Sequence, residues 1–307
     1  MKKRIQNRLA ESRFAFPVMI IYGLAVWLGA GTVAEGAYLQ LVFFVASTLL
    51  MMMLNNTNSL IRIYSRMVSC SFVAITCAAT FLFSSLESCA TGMCFILFYL
   101  SLLRSYQDKR APGIAFYSFA CLGIASLFFV QILYFVPFLW ILMASNMMAL
   151  THRMFWATVL GLVMPYWFAV GYYVVTNQFD AFIDHFAELA QFEPLLQYEA
   201  LDIHRIATFG LVVLLAVIGI IHYMRNSYLD KIRTRMIFEM FITVDILSFV
   251  FIILQPQHFD NLLPIIIVNT SCLFAHYVAL TRTWLTNVTF IVMCLATLGL
   301  TIFNLMP

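Results

Sequence analysis

The chain has 307 residues, 63% hydrophobic and 10% charged, with a net charge of +3 and a mean hydropathy of +0.93. A soluble globular domain carries about 25% charged residues, so a mainly water-facing protein is excluded; the small net charge itself says little about partners, and no nucleic-acid partner is expected. An outer-membrane barrel is excluded too: its period-2 alternation is absent, while apolar runs of membrane-helix length recur from Ala15 to Leu305.

The basic start "MKKRIQNRLAESR" precedes an apolar run, as in a signal peptide. No A-x-A site follows, so it reads as the cytoplasmic lead of a first membrane span. Eleven spans are predicted: Ala15–Gly31, Tyr38–Leu54, Val68–Leu86, Cys89–Leu103, Ile114–Val130, Leu133–Leu150, Trp156–Thr176, Ile206–Tyr223, Met236–Leu254, Leu262–Leu280 and Leu285–Leu305. The fold class is therefore all-α, a polytopic transmembrane helix bundle, with residues 1–307 forming one integral membrane domain.

With a cytoplasmic N-terminus, sixteen of the 17 Lys and Arg residues fall inside and only Arg205 outside. Reading 114–150 as one long helix would export Arg225, Lys231, Arg233 and Arg235, against the positive-inside rule. A hairpin is expected there instead, and the C-terminus emerges outside. Glu35, Glu87, Asp180, Asp184, Glu188, Glu193, Glu199, Asp202 and Asp260 are external, against Glu11, Asp108 and Asp230 inside. This places the chain as a multi-pass protein of the inner membrane, in contact with membrane lipids.

Smaller features follow in chain order. "LNNTNSLIR" is a polar inner turn, and its sequon at Asn55 lies on the wrong side for glycosylation. Cys89 and Cys94 flank an expected short turn and can pair, while the other cysteines lie scattered without metal-ligand spacing. Pro137 and Pro165 are expected to kink their spans.

The external stretch 177–205 reads as an amphipathic loop or helix. Phe179, Phe182, Ile183, Phe186, Leu189 and Ala190 keep helical rhythm until Pro194. Asp180, Asp184 and Glu188 run along the other side, as a solvated face or as ligands for a divalent cation and, through it, a phosphate. Asp202, His204 and Arg205 close the loop as separate candidates. The basic stretch "RNSYLDKIRTR" is explained by topology.

"FITVDILSFV", residues 241–250, holds Asp245 about 15 Å beyond Arg235 along a helix. A carboxylate at that depth costs several kcal/mol unless it is paired or hydrated. Phe241 and Ser248 share its face. On the next span Asn269 and His276 lie seven apart on one face, at depths of about 20 and 9 Å from Arg282, so Asp245 can bond either. The cluster Asp245, Asn269, His276 and Ser248 reads as an interhelical clamp or as a proton-relay or substrate site. Glu239, four residues after Arg235, is expected to pair with it. The outer turn "QPQHFDNLLP" offers His258 and Asp260 for acid–base chemistry, or as ordinary turn residues.

The segment "DKRAPGIAFYSFACLGIASLFFVQILYFVPFLWILMASN", with "GLVMPYWFAV" after it, resembles a largely uncharacterised family of Bacteroidetes multi-span inner-membrane proteins over about 60 residues. More faintly, "GIASLFF" and the late outer "NLLP" resemble GT-C glycosyltransferases, which take sugars from polyprenyl-phosphate donors. That resemblance implies a catalytic acidic residue in a long first outer loop. Here the loop is "TVAEGA", with Glu35 alone, so Glu35 and the acidic 177–205 loop are the places where it points.

Three functions are consistent with these features. The first is a protein of cell-envelope biogenesis that handles a lipid-linked sugar or phosphate, or assists other envelope proteins. If it is an enzyme, Asp180, Asp184 or Asp260 serves as base or cation ligand and His258 as helper. The second is a proton-coupled permease using Asp245 and His276, and the third a non-catalytic membrane scaffold.

Overall fold

A segment surrounded by lipid must satisfy its own backbone N–H and C=O groups, and a helix does so within one run. The computed structural model describes residues 4–191 and 201–306. Among them are thirteen α-helices and no strand. In chain order they are α1 (Ile5–Ala10), α2 (Ala15–Gly29), α3 (Tyr38–Asn58), α4 (Met67–Ala78), α5 (Leu86–Leu102), α6 (Pro112–Phe128) and α7 (Val136–Ser145). There follow α8 (His152–Val175), α9 (Phe179–Ala187), α10 (Ile203–Asn226), α11 (Ile232–Leu254), α12 (Phe259–Leu280) and α13 (Trp284–Leu305).

Seven helices, α3, α5, α8 and α10 to α13, are long and apolar enough to cross a membrane. The other four predicted spans hold the shorter apolar helices α2, α4, α6 and α7. Two of these are extended by 3-10 turns, Thr80–Phe83 after α4 and Val130–Phe135 before α7. At about 2.0 Å per 3-10 residue and 1.5 Å per α residue, each composite reaches roughly 26 Å.

Local sequence sets the helix ends. Ser85, Thr151 and Thr283 cap α5, α8 and α13 by accepting from Ser88, Met154 and Thr286 N–H. Asn177, at φ +54°, follows α8 in the left-handed region that Asn tolerates. The predicted hairpin at 114–150 forms: the chain breaks at an extended Phe129, and Gln107 N–H donates to Met147 O at 2.9 Å where the two arms return together.

α12 is buried along its whole length, packed against α4, α5, α10 and α11. A helix apolar all round belongs in such a place. Around this core, α3 lies on α4 and α5, α6 on α5, and α8 on α6, while α2 and α13 flank α4. Glycines allow the closest approaches. A Cβ at Gly161 of α8 would stand 2.3 Å from Phe116 O of α6, and one at Gly219 of α10 2.9 Å from the Leu273 carbonyl carbon of α12. The C-terminal end of α12 is closed by α1: Gln6 Nε2 donates to Val278 O at 2.7 Å, and Asn7 Nδ2 to Thr281 O at 2.9 Å.

Contacts between connecting segments sort into two ends. At the basic end Arg62 meets Asp230, Arg233 reaches Asn58 and Leu103, and Asn146 bonds Glu239. At the acidic end Arg205 meets Asp260, Thr80 meets Asn304, and Ser88 meets Asn261.

Several expectations are corrected. Cys89 and Cys94 do not flank a turn; both lie within α5, five residues apart, and both are free thiols. Pro137 does not kink a helix but sits in the first turn of α7, where its missing N–H costs nothing. Pro165 is inside α8 as expected. Glu239 does not pair with Arg235, because its Oε2 takes Asn146 Nδ2 at 3.0 Å. Glu193, Pro194 and Glu199 lie outside the described residues.

Candidate functional site

At the acidic end, four segments enclose an open cavity of about 390 Å³. They are the turn after α2 (Thr32, Glu35), the 3-10 turn after α4 (Thr80, Phe81), the start of α10 (Asp202, His204, Arg205) and the end of α13 (Asn304). The stacked rings of Trp27 and Phe83, 4.1 Å apart, belong to a small apolar cluster that also packs on Leu305 beside the cavity.

Asn304 ties this site together. Its Nδ2 donates to Ala78 O at 2.6 Å and to Thr208 Oγ1 at 2.9 Å, and its backbone carbonyl accepts from Thr80 Oγ1. With Nδ2 so committed, Oδ1 is the atom facing His204 Nδ1 at 2.9 Å. An acceptor there assigns a proton to Nδ1, so that in the neutral ring Nε2 is the nitrogen with the lone pair. The ring is held flat against Phe303, 4.5 Å between centroids.

Arg205 is fully engaged. Nε and Nη2 bond both oxygens of Asp260 at 2.9 and 2.8 Å, Nη1 bonds Asp202 at 2.9 Å, and the guanidinium stands 5.3 Å over the Phe81 ring. A planar fork matched to a carboxylate gives this geometry. Glu35 is exposed and makes no such bond among the described residues. Two carboxylates thus hold the guanidinium and a third, Glu35, lines the same cavity, so negative charge is in excess there when His204 is neutral. Such a site offers acceptors to hydroxyl groups and a base at His204 Nε2. It repels a bare anion unless a divalent cation intervenes.

The other predicted site residues are dispersed. Asp180 and Asp184 on α9, and Glu188 just beyond it, are exposed. α9 is the expected amphipathic helix, and part of its aromatic face lies on the bundle: Phe182 and Phe186 pack on Tyr166 of α8, and His185 Nε2 meets Ser126 O at 3.0 Å. Among the described residues no three His, Cys, Asp or Glu side chains converge as metal ligands. His258 and Asp260 do not work together. His258 lies between Phe129 and Phe251, with Gln257 Nε2 at 3.2 Å, whereas Asp260 turns to Arg205.

The intramembrane cluster separates into two. Asp245 of α11 is fully buried; its Oδ2 accepts from Thr270 Oγ1 at 3.2 Å, and Asn269 lies beside it. Asn269 Oδ1 accepts from Tyr99 OH of α5 at 2.8 Å, so three helices meet here. Asp245 Oδ1 and Asn269 Nδ2, an acceptor and a donor, are adjacent without closing a well-formed hydrogen bond. Ser248 bonds its own i−4 carbonyl, Val244 O, at 2.8 Å and stays out of the network.

His276 does not reach Asp245. Its Nε2 meets Asp230 Oδ2 at 3.0 Å, and Asp230 Oδ1 lies 2.9 Å from Arg62 Nε. Phe238 and Phe241 pack between the two groups, with the Phe238 ring 4.9 Å from His276 and the Phe241 ring 4.9 Å from Tyr99. Neither Asp230 nor Tyr99 stood out in the sequence: Asp230 reads as one more charge in a basic turn, and Tyr99 as one more aromatic in an apolar run. The polar pairs Gln6–Thr281 and Asn304–Thr208 were equally hidden, since each joins distant parts of the chain.

Compared with family models, with curated proteins and with solved structures, the chain matches none.

Proposed function

We propose that the chain is a multi-pass inner-membrane protein of cell-envelope biogenesis, crossing the membrane eleven times with α1 in the cytoplasm. On this reading its acidic-end cavity receives the head group of a lipid-linked sugar on the outer face. The observation that carries it is the open cavity lined by Glu35, Asp202 and His204 beside the engaged Arg205. Sugar hydroxyls donate to carboxylates, which are in excess there, and a phosphate in the same place would call for a divalent cation. If a glycosyl group is transferred, as the GT-C resemblance implies, Glu35 and His204 Nε2 are the bases within reach of the cavity, because Asp260 is spent on Arg205.

The test is native mass spectrometry of the purified protein with a polyprenyl-phosphate-linked hexose, with sugar-free polyprenyl phosphate as the control. Selective retention of the sugar-bearing lipid, lost in Glu35→Gln with His204→Gln, supports the reading. Equal retention of both lipids, or no loss in the double variant, overturns it.

One observation favours a permease instead: the loosely matched Asp245 Oδ1 and Asn269 Nδ2, buried in the bundle without a well-formed hydrogen bond. That reading requires a polar path from Asp245 to His276, where Phe238 and Phe241 now pack.

A further inference from the structure

A second cavity, on the other half of the same helices, is almost wholly apolar. It is a groove of about 410 Å³ between α2, α4 and α13, walled by Val18, Tyr22, Ala74, Phe290, Cys294 and Leu298. The α13 wall from Phe290 to Leu298 is about 12 Å long. The groove ends at the turn from α1 to α2, where Leu9, Ser12 and Phe14 form its mouth at the basic end.

Charge at this mouth is unbalanced. Arg8 and Arg13, next in sequence to the mouth residues, are exposed, and among the described residues their side chains have no hydrogen-bond or ion-pair partner. Glu11 between them is already engaged. A third cation, Arg66, stands 6.0 Å from the Phe16 ring on α2, with its guanidinium on Tyr64 OH. An apolar track that water cannot solvate thus opens beside unpaired cations at the bundle end.

We infer that this groove holds one acyl chain of an anionic phospholipid from the leaflet at the basic end, with the phosphate group against Arg8 and Arg13. Both halves of the ligand are specified by the site. The groove wall takes a hydrocarbon chain and offers almost nothing polar, and two exposed cations without partners among the described residues select a net negative head group over a zwitterionic one. Juxtamembrane Arg and Lys attract anionic lipid in this manner. The site is independent of the acidic-end cavity and stands whether or not that cavity binds a sugar.

The test uses the full chain purified in detergent, with native mass spectrometry and thermal unfolding in the presence of phosphatidylglycerol or phosphatidylcholine of matched chains. The wild type should retain phosphatidylglycerol about tenfold or more in preference. Arg8→Gln with Arg13→Gln should bring the two lipids to parity, with each single variant losing part of the preference. Cys294→Trp, at an exposed position of the groove wall, should reduce retention of both lipids. Inorganic phosphate alone should not stabilise the protein. Parity in the wild type, an undiminished preference in the double variant or full retention in Cys294→Trp would overturn the inference.

Discussion

Arg205 and Asp260, 55 residues apart, meet as a two-pronged ion pair that binds the first turn of α10 to the first turn of α12. Both side chains are partly exposed, at 26% and 37%, so water screens the pair. Arg205→Ala should lower thermal stability by about 1 kcal/mol, with the loss shrinking as salt rises. Arg205→Lys keeps the charge but not the fork, and should recover only part of it. An Arg205→Lys protein indistinguishable from wild type would show that charge alone matters.

Asp245 makes a graded prediction. Asp245→Ala loses the Thr270 bond, leaves Asn269 Nδ2 facing a void, and should cost roughly 2–3 kcal/mol in detergent unfolding experiments. Asp245→Asn keeps the shape and an acceptor for Thr270, and should cost about 1 kcal/mol or less. If Asp245→Asn preserves stability yet abolishes a cellular phenotype, the residue is more than a clamp.

Gly161 and Gly171 lie on the same helix in opposite circumstances. A Cβ at Gly161 would collide with Phe116 O at 2.3 Å, whereas one at Gly171 meets nothing within 4 Å. Gly161→Ala should therefore destabilise by roughly 1–3 kcal/mol through separation of α6 from α8. Gly171→Ala should be neutral or slightly stabilising, since alanine favours the helix. Similar melting temperatures for the two variants would contradict the close α6–α8 packing.

Membrane orientation can be read directly. A reporter fused after residue 190 should be active only outside the cytoplasm, and one fused after residue 230 only inside it. The reverse pattern would rule out eleven crossings with a cytoplasmic α1.

The helical scaffold was legible in the sequence because hydrophobic run length survives any tertiary arrangement. Even the 114–150 hairpin followed, although Phe129 marks its break with neither Gly nor Pro, because the basic residues beyond it required a return. The site was only half legible. His204, Arg205, Asp202 and Glu35 could be named singly, but Asn304, which orients His204, looks like an ordinary polar residue in an apolar helix. Periodicity along one helix fixed which face Asp245 and His276 occupy. It could not say that Phe238 and Phe241 fill the space between them, because that depends on the rotation and offset of neighbouring helices.

The capping of α12 by Gln6 and Asn7 has a consequence for biosynthesis. Gln6 leaves the ribosome some 272 residues ahead of Val278, the carbonyl it caps. At about 5–20 residues per second, that is a wait on the order of tens of seconds. During it α1 waits without its partner, and α12 finds its cap only once it has itself been made. A contact made early in the chain therefore closes late in folding, and a bulky insertion beside Gln6 would act on the completion of assembly rather than on membrane insertion.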